Sequence, residues 1–382
     1  MLQHNQVIRE LYLRGGVVKI GKLGVDAIAK GLQHNTSLQV LDLSNHLIGD
    51  QGFEAIAKSI ARNKEFNTLI LKNSGIGIKS FQAAASSLGN IKALNILDLT
   101  DYFSMTEKSV KSLAIGLSYH QFLRVLNLEG IRIGGLGADT ILKSLSGNHD
   151  LVTLNLKGCH IGVIGARALG PLIRYNRRLQ VLNLQNNSLE DEGIKVISSE
   201  FRNNRSITEV NLACNEISDG IAIFTEALKG NFVLTKLSLS NNQIKDIGAK
   251  AIALLLQDKN VIIELDLEDN KIEDQGCIAL GKALQSNQTL AFLNLSKNNI
   301  GEDGAKAIAI MLQYNRTLLV LYLCAVKVSS NIFSHGYMIG DGGIKELAAK
   351  LRLNYAVTFI DVGEECGFLS VTWNSSRKKS WN

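Results

Sequence analysis

Two stretches of the chain have the spacing of a loop that cradles phosphate. Gly16, Gly21 and Lys22 form one, and Gly276, Gly281 and Lys282 form the other. In this pattern backbone N–H groups and a lysine surround phosphate oxygens. The hydroxyl that would hold magnesium is missing from both, because Leu23 and Ala283 stand where Ser or Thr is needed. The first stretch is in register with Ile48–Gly52, so it reads as a structural element repeated along the chain. The second falls inside a helical stripe. Neither is expected to bind a nucleotide.

Other catalytic chemistry is equally thin. The seven histidines show no metal-ligand spacing, and no Ser or Cys has a base placed beside it in sequence. The cysteines, Cys159, Cys214, Cys277, Cys324 and Cys366, are odd in number and include no Cys-x-x-Cys pair. That usage speaks against a disulfide framework or a zinc site. The expectation is a non-enzymatic chain with no catalytic residue, no cofactor and no metal. Asn-x-Ser/Thr sequons at Asn35, Asn287 and Asn315 recur at fixed register. With no basic-then-apolar leader in view, they are expected to stay unmodified.

What remains is a charge pattern. Glu264, Asp266 and Glu268 alternate with Leu265 and Leu267. Alternate residues of a strand share a face, so three carboxylates would stand side by side. Like charges that close are destabilising unless a cation offsets them.

The elements that carry these side chains are set by an internal repeat. The pattern L-x-x-L-x-L starts at Ile8, Leu38, Phe66, Leu94, Leu123, Leu151, Leu179, Ile207, Leu234, Ile262, Leu290 and Leu318, with a weaker copy from Val357. Steps from Leu38 to Leu318 are 27, 28 or 29 residues. Each unit opens as a short strand, as at Leu290, Leu293 and Leu295, then shifts to a helical stripe, as at Ala305, Ile308 and Leu312. Asp50, Asp191, Asp246, Asp274 and Asp303 fall in or just before the first helical turn, where a carboxylate either caps free N–H groups or favours the positive helix end. Asn315 ends its unit as a residue that tolerates the left-handed conformation. One unit alone cannot bury both apolar faces, whereas stacked units can.

Segments such as 179–197 and 290–312 resemble the ribonuclease-inhibitor class of leucine-rich repeats. Over residues 1–365 the chain is similar to the repeat regions of NOD-like receptors and the repeat domain of Ran GTPase-activating protein. The resemblance implies an α/β horseshoe solenoid of about 13 repeats, with parallel strands on the concave face and helices on the convex face. Residues 366–382 then form a C-terminal cap or tail.

Alternation places Arg14, Lys72, Lys157 and Lys236 on the inner face. With them stand Glu10, Asp42, Asp98, Glu129, Glu209, Glu264, Asp266, Glu268 and Asp361, an acidic face in a chain of net charge +6. A basic partner would be steered toward it. The expected contact residues are Glu264, Asp266, Glu268, Asp98, Glu129 and Glu209, joined by Phe292 and Tyr322. The middle column of Asn127, Asn155, Asn183, Asn211 and Asn294 reads either as contact surface or as a hydrogen-bonding ladder.

Departures from the repeat mark further candidates. The asparagine kept at Asn187, Asn215, Asn242, Asn270 and Asn298 is His46, Ser74, Tyr102, Ile131 and Cys159 in earlier copies. Tyr102 and Phe103 belong either to local repacking or to a recognition loop. The insertion 329–338 brings Phe333 and Tyr337, either a binding loop or an edge cover. Phe368 and Trp373 are expected to cap the last core face, with Arg377, Lys378 and Lys379 solvated before Trp381. Residues 1–13 align with 311–323, so either the first strand is an exposed edge or the array was longer.

Composition bounds the class. Hydrophobic residues at 46% and charged residues at 20% suit a large core, and the single proline, Pro171, argues against Pro-rich linkers within 1–365. The charge is too mild for a nucleic-acid binder, and no apolar run is long enough to cross a bilayer. The expectation is a monomeric cytoplasmic scaffold that binds a protein with a basic patch, touching neither nucleic acid nor membrane. The resemblance adds two alternatives: a GTPase activator of the Ran type, and a repeat-only relative of NOD-like sensors.

Overall fold

The leucines that define the repeat set the architecture. In the unit from Leu290, the side chains of Leu290, Leu293, Leu295, Ile300, Ala305, Ile308, Ala309, Met311 and Leu312 are all buried. Each large side chain among them contributes about 1.5–3 kcal/mol by leaving water. The same columns are filled in the other units, as at Leu38, Leu41, Leu43, Ile48, Phe53, Ile56 and Ile60.

The structure is a computed structural model that describes residues 2, 4–16, 19–76, 84, 86–101, 103–257, 260–324, 339–363 and 370–372. It is an α/β solenoid in two compact units, Met1–Ser188 and Leu189–Asn382. In the first unit, β1 (Glu10–Tyr12), β2 (Val40–Asp42), β3 (Thr68–Ile70), β4 (Ile96–Asp98), β5 (Val125–Asn127), β6 (Thr153–Asn155) and β7 (Val181–Asn183) lie side by side in chain order. All their pairings are parallel and in register. The second unit continues the pattern with β8 (Glu209–Asn211), β9 (Lys236–Ser238), β10 (Glu264–Asp266), β11 (Phe292–Asn294), β12 (Val320–Tyr322) and β13 (Phe359–Asp361). A last strand, β14 (Ser370–Thr372), runs antiparallel to β13. Helices such as Asp274–Ser286 and Glu302–Tyr314 connect successive strands.

The consensus asparagine holds the strand exits together. Asn298 Nδ2 donates to the carbonyls of Leu267, Leu295 and Ser296, while its Oδ1 accepts from the N–H of Ile272. Asn270, Asn242 and Asn187 repeat this set. The replacements in the first unit do part of the same work. Cys159 Sγ donates to Leu128 O, Ser74 Oγ to Leu43 O, and His46 accepts from Ile20 N while its other ring nitrogen meets Leu13 O.

One expectation about helix ends is corrected. Asn315 closes its helix in an extended conformation, φ −69° and ψ 138°, not a left-handed one. The position needs the amide: Oδ1 accepts from Thr317 and Leu318 N–H, and Nδ2 donates to the Leu284 and Asn287 carbonyls. The sequon residues Asn35, Asn287 and Asn315 are buried. Three of the aspartates at helix starts accept hydrogen bonds from the next repeat. Asp274 Oδ1 accepts from Gly301 and Gly304 N–H, Asp246 Oδ1 from Glu273 and Gly276 N–H, and Asp191 Oδ1 from Ser218 N–H.

Candidate functional site

The three carboxylates of the second unit do share one face. Glu264, Asp266 and Glu268 are half-buried, with Leu265 and Leu267 buried between them. Glu264 Oε1 lies 2.8 Å from Lys236 Nζ on β9. Lys236 is opposite Glu209 as well, and both glutamates raise its ammonium pKa, chiefly the hydrogen-bonded Glu264. Glu268 takes Lys297 Nζ at 2.6 Å and Asn294 Nδ2 at 3.1 Å.

Asp266 sits between them without a cation of its own in this set. Its Oδ1 accepts from Glu268 N–H at 3.1 Å and its Oδ2 from Ser238 Oγ at 3.2 Å. Burial pushes its pKa up, the charge on Glu268 adds to that, and the hydrogen bonds only partly oppose the rise. Beyond β10 the face turns aromatic. Phe292 and Tyr322 have ring centroids 5.8 Å apart, and Tyr322 and Phe359 5.0 Å apart. Glu264, Phe292, Val320 and Phe359 are register partners across β10–β13.

The carboxylates of the first unit are engaged differently. Asp98 Oδ1 accepts from the backbone and hydroxyl of Thr100 while its Oδ2 accepts from Asn127 Nδ2. Glu129 is held by Lys157 at 3.0 Å and by Asn155 Nδ2 at 3.2 Å. Burial pushes the pKa of Asp42 up, but Ser44 and Arg14 together outweigh it, so the carboxyl ends below its usual range. Asp42 and Asp361 are 1% and 2% exposed, so neither offers the accessible surface that alternation assigned to it.

A family model described as Leucine Rich repeat matches residues 34–57, 147–170, 175–198, 203–224, 230–253, 260–281 and 286–309. Seven units of the chain thus match the leucine-rich repeat model. No curated protein matches the chain. Among solved structures it is similar to "Leiomodin-1 Actin-Binding Site 2 (ABS2)", with 28% identity over 43% of this chain and 88% of that chain, at a TM-score of 0.34. Among the described residues, no helix is long and apolar enough to cross a membrane. Nor does any His, Cys, Asp and Glu cluster there suit a metal ion.

Lys297 is the residue that sequence alternation misses. It lies beyond the repeat's strand with φ +57°, a left-handed turn that swings its side chain back toward Glu268. Asp269, one repeat earlier, has the same turn at φ +52°. Phe359 was legible as the alternate residue of the weak copy from Val357. Phe103 is half-buried, and its carbonyl accepts from Arg132 N–H beside the Ser104–Arg132 bridge. Tyr102, Phe333 and Tyr337, like the tail from 373, lie outside the described residues.

Proposed function

We propose that the chain is a non-enzymatic protein-interaction scaffold of the ribonuclease-inhibitor-like class, whose β8–β13 face receives a partner with exposed Lys or Arg. The class is supported by the 27–29 residue spacing with a helix in nearly every unit. The observation that carries the binding reading is Asp266. Its register partner Asn294, like Asn127, Asn155 and Asn183 in the same column, forms the i to i+2 bond from a neutral amide, while Asp98 and the buried Asp42 and Asp361 form it from a carboxylate. Asp266 makes that bond with a carboxylate that burial disfavours. A charge kept where an amide would serve the fold points to a role in recognition. Phe292 and Tyr322 offer apolar area beside it, the combination found in the centre and rim of protein interfaces.

The test is cross-linked capture from a cell extract on full-length protein. Wild type is compared with Glu264→Gln, Asp266→Asn and Glu268→Gln combined. Proteins retained by wild type and lost from the triple variant are expected, and their loss should be mimicked by raising salt. Identical sets of captured proteins would overturn the reading.

A further inference from the structure

The aromatic-to-acidic order of the second unit's face is matched by one segment of the chain itself. Residues 373–382 lie outside the described residues, and in sequence they run Trp373, then Arg377, Lys378 and Lys379, then Trp381. The strand before them fixes where they start. Thr372 of β14 is the register partner of Phe359, so the chain leaves β14 in line with the row Phe359, Val320, Phe292 and Glu264.

Reach decides whether order in sequence can become order in space. β14 to β10 is four strand steps, a span of about 19 Å at the usual strand spacing. From Thr372 to Lys378 an extended chain covers about 20 Å. A segment that crosses the face would therefore pass Trp373 over the rings of Phe359 and Tyr322 and bring its cations to β10. There the charges are complementary: Glu209, Glu264, Asp266 and Glu268 face only Lys236 and Lys297 among the cations named above. Both of those pairs are partly exposed, the kind that exchanges readily for another cation.

The geometry points to residues 373–382 as an intramolecular ligand of the β10–β13 face: Trp373 on the aromatic row, and Arg377, Lys378 and Lys379 on Glu264, Asp266 and Glu268. This inference rests on the partner reading above, because the same carboxylates receive both. It adds a consequence. A partner must displace the tethered segment, whose effective concentration is set by the short connection to β14.

Trp373 and Trp381 are the chain's two tryptophans, so intrinsic fluorescence reads the segment without a label. Full-length wild type is expected to show blue-shifted emission and weak acrylamide quenching at low salt. Both should be lost in Arg377→Glu, Lys378→Glu, Lys379→Glu, and equally in Glu264→Lys, Asp266→Lys, Glu268→Lys. Combining the two triple variants should restore them, which a folding defect would not do. Protection that grows with protein concentration would mean docking between copies and would overturn the intramolecular form.

Fluorescein-labelled octalysine, followed by anisotropy, separates the two readings. The tail variant should bind it roughly threefold or more tightly than wild type, since removing a competitor restores the binding-competent fraction. If wild type and tail variant quench alike and bind octalysine alike, while the face variant fails to bind it, the tail inference falls and the partner reading stands. Octalysine binding that ignores the face variant overturns both.

Discussion

Asp266 differs in one side-chain atom from its register partner Asn294, and that atom carries the charge. Its Oδ1 holds the N–H of Glu268 as an asparagine would, but its other oxygen carries charge that burial opposes. The raised pKa fixes the sign of the linkage. Above the folded-state value the ionised carboxyl destabilises the fold, and below the unfolded-state value the penalty is gone because both states are protonated. Asp266→Asn is therefore expected to stabilise the protein at pH 7 by a few tenths up to about 1 kcal/mol. The gain should vanish as pH falls through the carboxylate range, as read by urea unfolding at a series of pH values. A variant less stable than wild type at pH 7 would show that the carboxylate serves the fold. The carboxylate row itself was legible from alternation. Its partner Lys297 was not, because a left-handed residue breaks the period-2 rule just past the strand.

At the scale of elements, each repeat completes its neighbour. The helix Glu302–Tyr314 has no side-chain cap of its own at Gly301, and the free N–H groups of Gly301 and Gly304 go to Asp274 of the preceding helix, at 2.7 and 2.9 Å. Asp274 reaches there because residue 304 is glycine. A Cβ on Gly304 would stand 2.7 Å from Asp274 Oδ1 and 2.8 Å from Ile300. Asp274→Ala should cost about 0.5–2 kcal/mol, the usual range for a lost cap. Hydrogen exchange should then speed up at 301–304 and not in the helix Asp274–Ser286 that contains the substitution. Asp274→Asn keeps the acceptor and should recover most of the protection. Acceleration confined to the substituted helix would refute the cross-repeat assignment. The sequence displayed aspartate at helix starts but not its direction, since a carboxylate before a helix looks the same whichever helix it caps. The helix-closing asparagines hid their role likewise: left-handed tolerance and amide bonding favour the same residue, and φ −69° at Asn315 separates them.

Across the whole molecule, the perturbed groups divide by unit in their response to acid. In Met1–Ser188, burial pushes His120 down to about 4, outweighing the Leu88 carbonyl, and the Lys92 charge adds to the depression. A histidine held neutral in the fold binds fewer protons than in the unfolded chain, so stability falls as pH drops from about 6.5 to about 4, by up to about 3 kcal/mol. Asp42 in the same unit acts in the same direction lower down, because its carboxyl is held below the usual range and its contribution is lost on protonation. Asp266, in Leu189–Asn382, acts in the opposite direction. Each unit also carries its own reporter, since Cys159 and Cys277 are buried thiols whose pKa is raised by burial, and neither reacts until its surroundings open. Labelling with dithiodipyridine, read by peptide mass, should accelerate at Cys159 relative to Cys277 between pH 7 and pH 5. His120→Asn places there the residue that closes neighbouring helices, as at Asn148 and Asn176, and should remove most of that difference. Equal acceleration at both thiols, or an unchanged difference in the variant, would mean that the acid response is not carried by His120.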